Sequence, residues 1–173
     1  MSAETLRERI REIPDFPKPG ILFYDITTLL KDPVAYKESI DLMLEPYRDE
    51  KIDLVVGMES RGFIFSAPMA YQLGAGLVPV RKLGKLPAET ITVEYALEYG
   101  SNTLEIHRDA IQPGQTVLIV DDLLATGGTV KGTMELVERL KGAVVGLAFL
   151  VELDFLKGRD RLDGRRVSSV IKY

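Results

Sequence analysis

Hydrophobic positions change their rhythm along this chain, and the changes outline its elements. Leu6, Ile10 and Ile13 recur at helical spacing behind Ser2 and Thr5, which predicts a short amphipathic opening helix. Pro14, Pro17, Pro19 and Gly20 then predict a rigid, turn-rich segment. Asp32-Pro33 reads as a helix start, with Asp as N-cap and Pro in the first helical position. Tyr36, Ile40, Met43, Leu44 and Tyr47 supply that helix with one buried face. From residue 52 short apolar runs take over, at 52–56, 77–80, 116–120, 143–151 and 167–171. Helical patterns lie between them, over 63–73 and at Val130, Met134, Val137 and Leu140. Runs of this kind alternating with helices are what a sheet covered on both faces requires. The expected fold is α/β, with a doubly wound, mostly parallel sheet of about five strands. Residues 90–95 and 103–106 depart from this by alternating polar and apolar positions around Gly100-Ser101-Asn102, which predicts an inserted β-hairpin with one wet face.

Composition narrows the function classes. At 173 residues the chain has the length of one domain, and 46% hydrophobic with 28% charged residues argues against disorder. The 22 basic and 26 acidic residues leave a net charge of −4, so neither a nucleic-acid nor a membrane surface is expected as a partner. No cysteine is present, which removes disulfides and thiolate chemistry. The charged N-terminal residues contain no apolar h-region, and the longest apolar stretch is 8 residues, so the expected location is the cytoplasm.

The chemistry concentrates where the run at 117–120 meets Asp121-Asp122, then Leu123-Leu124-Ala125-Thr126-Gly127-Gly128-Thr129 and a helix. Ligands of open α/β sheets bind beyond the carboxyl ends of the strands. A helix start presents unpaired N–H groups and a positive dipole end, which suits a phosphate. Gly127 and Gly128 allow the backbone close to that phosphate, and Thr126 and Thr129 add hydroxyls. Neighbouring residues at a strand end point opposite ways, so Asp121 and Asp122 divide two tasks; sugar hydroxyls, or Mg²⁺ attached to them, are compatible partners. A plain strand-to-helix connection with an Asp or Thr cap, or an acidic metal site, is the competing reading. Neither a P-loop nor a dinucleotide fingerprint occurs.

Residues 117–129 closely resemble the phosphoribosyl pyrophosphate motif of the type I phosphoribosyltransferases, and 122–129 resemble its adenine phosphoribosyltransferase version. Phe16-Pro17-Lys18-Pro19-Gly20-Ile21-Leu22-Phe23-Tyr24-Asp25-Ile26 is similar to the N-terminal segment of that family. Glu59-Ser60-Arg61-Gly62-Phe63 is similar to its pyrophosphate loop, and Arg81-Lys82-Leu83-Gly84-Lys85-Leu86-Pro87 to the start of its mobile loop. Leu97-Glu98-Tyr99-Gly100 and Val151-Glu152-Leu153 extend the likeness over nearly the whole chain.

The resemblance implies one phosphoribosyltransferase domain over 1–173, with 1–32 as an N-terminal helix and hood and 81–106 as a mobile loop and hairpin lid. It implies transfer of a phosphoribosyl group to adenine, giving AMP and pyrophosphate, with Mg²⁺ as cofactor, small molecules as substrates and a homodimer as assembly. Asp121, Asp122, Ala125, Thr126, Gly127, Gly128 and Thr129 would hold the phosphoribose, with Asp121 and Asp122 meeting Mg²⁺ directly or through water. Ser60, Arg61, Gly62, Arg81, Lys82 and Lys85 would meet the pyrophosphate, the backbone at Ser60 being a place for a cis peptide. Glu98 would handle a proton on the base, and Arg61 and Arg81 would act on the leaving group, Arg81 across the dimer. Leu22, Phe23 and Tyr24 would form the base site; position 24 is one where some members carry Arg. Another purine base, or a regulator that binds without turnover, are the alternatives. His107 is assigned no role, Met43 and Met134 read as core, and Arg159, Arg161, Arg165 and Arg166 read as a solvated turn.

Overall fold

A computed structural model describes residues 2–96 and 100–173, so Leu97, Glu98 and Tyr99 lie outside the described residues. The opening helix is shorter than its apolar spacing predicts. Helix α1 covers Ala3–Arg7, capped by the Ser2 hydroxyl, which accepts from the Thr5 N–H at 3.3 Å. Ile13 belongs instead to strand β1, Arg11–Pro14, which pairs antiparallel with β2, Leu22–Asp25. Sequence spacing missed both strands. The physical reason is Pro14: the residue before a proline is pushed from helical to extended backbone, so Ile13 cannot continue α1. The turn between β1 and β2 contains a cis Phe16–Pro17 bond, and the Gly20 N–H donates to Asp15 Oδ1 at 2.8 Å.

Asp25 ends β2 in a set of donors. Its carboxylate accepts from Arg11 Nε at 3.0 Å and from the Thr27 N–H at 2.9 Å, and the Arg11 hydrogen bond in particular holds its pKa down at about 2. A depressed carboxylate contributes stability above its ordinary value of 3.8 and loses it as pH falls through about 2. Asp25→Asn is therefore expected to cost up to about 1 kcal/mol near neutral pH, since Arg11 is solvent-exposed. Denaturant unfolding at several pH values should show wild type and variant converging in acid; a gap independent of pH would contradict it.

Helix α2, Thr27–Leu30, leads to α3, Pro33–Leu44, where the Asp32 carboxylate accepts from the Val34 and Ala35 N–H groups at 3.0 and 3.2 Å, as its sequence predicts. Ile40, Met43 and Leu44 are buried, and Tyr47 in the following turn is fully covered.

The main sheet has the order β5-β6-β4-β3-β7-β8-β9. Strands β3 (Leu54–Met58), β4 (Gly76–Lys82), β7 (Thr116–Leu124), β8 (Ala143–Glu152) and β9 (Val167–Lys172) are mutually parallel. The expected hairpin is β5 (Thr90–Ala96) and β6 (Ser101–His107); β6 joins the β4 edge through Arg81 opposite Glu105 and Lys82 opposite Leu104. Helix α4, Arg61–Leu73, returns from β3 to β4 on one face, and α5, Gly128–Arg139, returns from β7 to β8 on the other. Alternate residues of β7 divide accordingly: Leu118 and Val120 join the core with Phe65 and Met69, while Val117 and Ile119 join Val130, Met134 and Val137. From the centre the chain leaves β3 for one edge and β7 for the other. The gap between the carboxyl ends of β3 and β7 is therefore the topological switch point, where this class of sheet leaves a crevice.

Two sequence expectations need revision. Strand β7 does not end at the paired carboxylates but runs through them to Leu124. Of the arginines after β8, Arg161, Arg165 and Arg166 are exposed, as a solvated turn requires, although Arg165 pairs with Glu138 and Arg166 pairs with Glu50 and lies over the Tyr47 ring; Arg159 departs from the expectation by making a two-pronged pair with buried Glu152. Met43 and Met134 are core, as their spacing predicts. His107 Nε2 accepts from the Ala88 N–H at 3.3 Å.

Candidate active site

A cleft of about 310 Å³ occupies the switch point. Its floor is the end of β7, its walls the starts of α4 and α5. Ser60, Arg61, Lys82, Asp121, Asp122 and the whole loop Ala125, Thr126, Gly127, Gly128, Thr129 line it. One cleft thus gathers two motifs about 60 residues apart in sequence, because the register pairs Gly57 of β3 with Val120 of β7.

Both helices reach the cleft without a side-chain cap. Ser60 stands before α4 and makes no capping hydrogen bond; Gly127 stands before α5 at φ +86°, where no side chain caps either. Two sets of unpaired N–H groups, each at a positive dipole end, therefore face one space. The sequence announced only the second. The Glu59–Ser60 peptide is cis, as the resemblance implied.

The charges are arranged around that space. Arg61 Nε lies 2.9 Å from Asp122 Oδ2; Asp122 is buried while the Arg61 side chain stays 47% exposed, so one end of the guanidinium is held and the rest remains available. The Asp122 N–H donates to Asp121 Oδ1 at 2.8 Å. Burial, and then the negative charge of Asp122, push the Asp121 carboxyl well above the usual carboxylate range, with Arg61 acting in the opposite direction. Gly62 packs against this pair: a Cβ there would stand 2.8 Å from Asp121 Oδ1 and 3.2 Å from the Val120 carbonyl oxygen.

Other expected residues sit outside the cleft lining. Arg81 lies 3.3 Å from Glu59 Oε2, which also accepts the Lys82 N–H at 2.8 Å. The Lys85 and Leu86 N–H groups donate to the buried Glu105 carboxylate at 2.9 and 2.7 Å, which pins the basic segment to the hairpin. Burial pushes Glu105 up, but backbone N–H groups of Leu86, Gly84 and Lys85 outweigh it and hold its pKa below the ordinary value. In the hood, Phe23 meets Phe16 edge-to-face at 5.1 Å, and the Arg61 guanidinium lies 5.7 Å from its ring centre. Tyr24, next along the strand, stacks on Tyr173 with ring centres 3.9 Å apart. Leu22 is exposed. Structure therefore brings Phe23 towards Arg61 and sends Tyr24 elsewhere, by the alternation of side chains in a strand.

Sequence reasoning gave no role to Glu59, Tyr95, Asn102 or Phe149, which also line the cleft. Tyr95 and Asn102 are directly opposite across the hairpin, and the Thr129 hydroxyl donates to Tyr95 Oη at 3.4 Å. The alternation at 91, 93 and 95 was a readable signal for a shared face. That this face meets α5 was not readable from it.

Among the described residues, no three His, Cys, Asp or Glu side chains cluster as a metal cage. Two adjacent carboxylates, one already engaged by Arg61, suit a Mg²⁺ that keeps its waters and arrives on ligand oxygens.

A family model described as a phosphoribosyl transferase domain matches residues 25–171. The adenine phosphoribosyltransferase of Acidobacterium capsulatum is 59% identical over 173 residues, covering 100% of this chain and 96% of the relative. A crystal structure of adenine phosphoribosyltransferase from Thermoanaerobacter pseudethanolicus superposes with a TM-score of 0.96 at 55% identity, covering 99% of this chain and 100% of that one. The Saccharomyces cerevisiae enzyme, crystallised with an imino-altritol bisphosphate and adenine, gives 0.92 at 43% identity, with 97% of each chain covered. On the strength of that full-length likeness, the chain belongs to the adenine phosphoribosyltransferases of the phosphoribosyl transferase family.

Proposed function

We propose that this cleft transfers the 5-phosphoribosyl group from phosphoribosyl pyrophosphate to N9 of adenine, forming AMP and releasing pyrophosphate. The observation that carries the reading is the convergence of two uncapped helix starts and Arg61 on one cleft floored by Asp121 and Asp122. Breaking the bond from C1 to the pyrophosphate leaves positive charge on the sugar and negative charge on the leaving group. N–H donors and a cation already in place stabilise that separation without reorganising.

In this reading the 125–129 loop and the start of α5 hold the 5′-phosphate, and Asp121 and Asp122 hold the ribose hydroxyls. Ser60, Arg61 and Gly62 hold the pyrophosphate, with Lys82 and Lys85 completing its charge when segment 81–106 closes as a lid and excludes water. Mg²⁺, bound with the substrate, supplies further neutralisation of the pyrophosphate oxygens. Leu22 and Phe23 cover the base, and Glu98 exchanges a proton with it. Arg81, beside Glu59 in its own chain, is read as serving a neighbouring site in a homodimer, which the mass in solution checks. A cytoplasmic location belongs to the same reading; no helix among the described residues is long and apolar enough to cross a membrane.

The test is pyrophosphate release from phosphoribosyl pyrophosphate and Mg²⁺ with each purine base in turn. Adenine is expected to be the base consumed, and Glu98→Gln to lower kcat about 100-fold or more. Turnover with hypoxanthine or guanine but not adenine would overturn the base assignment, and full activity of Glu98→Gln would remove the proton role.

A further inference from the structure

Behind the phosphate loop, the chain makes a contact that the transfer reaction leaves unexplained. After β8 it forms two tight turns, Asp154–Leu156 and Gly158–Arg161. These bring buried Gly158 against the rear of the loop. A side chain at Gly158 would run into the Ala125 carbonyl, and one at Gly127 would stand 2.7 Å from the Gly158 carbonyl oxygen. The two backbones touch with no room between them. Just upstream, the Leu153 N–H donates to the Leu124 carbonyl at 2.9 Å, so the segment is hydrogen-bonded to the entrance of the same loop.

What fixes Gly158 there is its neighbour. Arg159 Nε and Nη2 bind the two oxygens of Glu152 at 2.6 and 2.7 Å, Nη1 donates to the Val167 carbonyl at 3.0 Å, and Nη2 also reaches Ser169 Oγ at 3.1 Å. Glu152 is 3% exposed and accepts from Ser169 as well. On the other side Leu162 is 1% exposed in the core beneath α5. The turn is thus clamped at both ends, to the rigid ends of β8 and β9 and to the core. A planar fork that satisfies both carboxylate oxygens fixes direction as well as distance.

We propose that Gly158, held by the Glu152–Arg159 pair, is a positioning residue for the phosphate loop. It sets how far the 125–129 backbone can retreat, and through that the affinity for a phosphorylated sugar but not for the base. The proposal rests on reading 125–129 as the phosphate site.

The test is Gly158→Ala, with Glu152→Gln as a second variant that keeps shape and removes charge. Expected for Gly158→Ala is a rise in KM for phosphoribosyl pyrophosphate of about tenfold or more, from displacement of the loop. Calorimetric binding of ribose 5-phosphate should weaken by the same factor, and KM for adenine should stay within about twofold. Glu152→Gln should move the same two quantities a few-fold, and decides the matter if Gly158→Ala fails to fold. Unchanged ribose 5-phosphate affinity in a folded variant overturns the proposal. So does an equal loss for both substrates, which marks a merely structural role. A wild-type protein that bound ribose 5-phosphate without consuming any purine would refute the transfer reaction yet leave the binding comparison decisive.

Discussion

Replacing Gly62 by alanine is expected to lower kcat/KM by about 100-fold or more while leaving the protein folded. The added Cβ would stand 2.8 Å from Asp121 Oδ1 and 3.2 Å from the Val120 carbonyl oxygen. Neither neighbour can yield cheaply. Val120 is a central strand residue locked in register with Gly57 of β3, and Asp121 is a short side chain whose oxygen already accepts the Asp122 N–H. The start of α4 must therefore move away from β7, carrying Ser60 and Arg61 with it. Displacement by about a few tenths of an ångström to 1 Å separates the proposed leaving-group donors from the proposed sugar site, and misplacement on that scale can cost about 100-fold in rate. Steady-state kinetics together with a thermal melt are the check. A folded variant with near wild-type kcat/KM would show that α4 can slide without disturbing the reaction.

The largest effect on stability is expected from Arg159→Met. Glu152 would be left buried beside Ser169 with only the Lys172 amine, 3.8 Å from its Oε2 and half-exposed, to balance it, and a buried carboxylate stripped of its close partner costs several kcal/mol. Because the Arg159 side chain is 37% exposed, we expect a smaller loss, about 2–3 kcal/mol, and a midpoint lower by about 5–10 °C. The pH dependence has a definite sign. Burial pushes Glu152 up, but Arg159 and Ser169 hydrogen bonds hold its pKa below the ordinary value in the wild type. Its contribution is therefore present above the ordinary glutamate value and disappears as pH falls. The variant's deficit should be greatest at neutral pH and narrow in acid, where Glu152 becomes protonated. Removing both partners, as Glu152→Leu with Arg159→Met, should restore most of the stability, since the under-compensated buried charge is then gone. A double variant no more stable than Arg159→Met alone would place the loss in packing of the arginine stem.

The cleft's electrostatics also explain why overall charge was a poor guide to its ligand. A net charge of −4 argues against a polyanion spread over a face. In the proposed reaction the anionic groups are met locally instead, by Arg61, Lys82 and two helix starts that share the cleft, and these barely register in a whole-chain sum.

Local chemistry decided much of this fold before any tertiary contact. Asp32-Pro33 starts α3 because an acceptor and a preset φ act within one turn of the chain. The apolar runs become β3, β4, β7, β8 and β9 because short, largely apolar segments rich in Val, Leu and Ile suit a sheet covered on both faces. The proposed phosphate loop at 125–129 was legible for the same reason: glycines, threonines and a helix start lie within a few consecutive residues. The N-terminal strands were not legible, since proline at position 14 overrides a helical spacing that Leu6, Ile10 and Ile13 otherwise satisfy.

Tertiary structure alone decided which of these pieces would meet. That Arg61 binds Asp122, that Gly62 allows α4 close to β7, and that Tyr95 lies over Thr129 all follow from strand order and register. Arg159 is the clearest case. In the sequence it is one of four arginines between charged and polar residues, and its surroundings read as solvent; in the fold it closes on a buried glutamate, next to a glycine packed against the 125–127 backbone. Periodicity and motif chemistry act over one or two turns of chain, and so they are written in order along it. Long-range pairing depends on how a whole sheet twists and closes, and no local pattern carries that information.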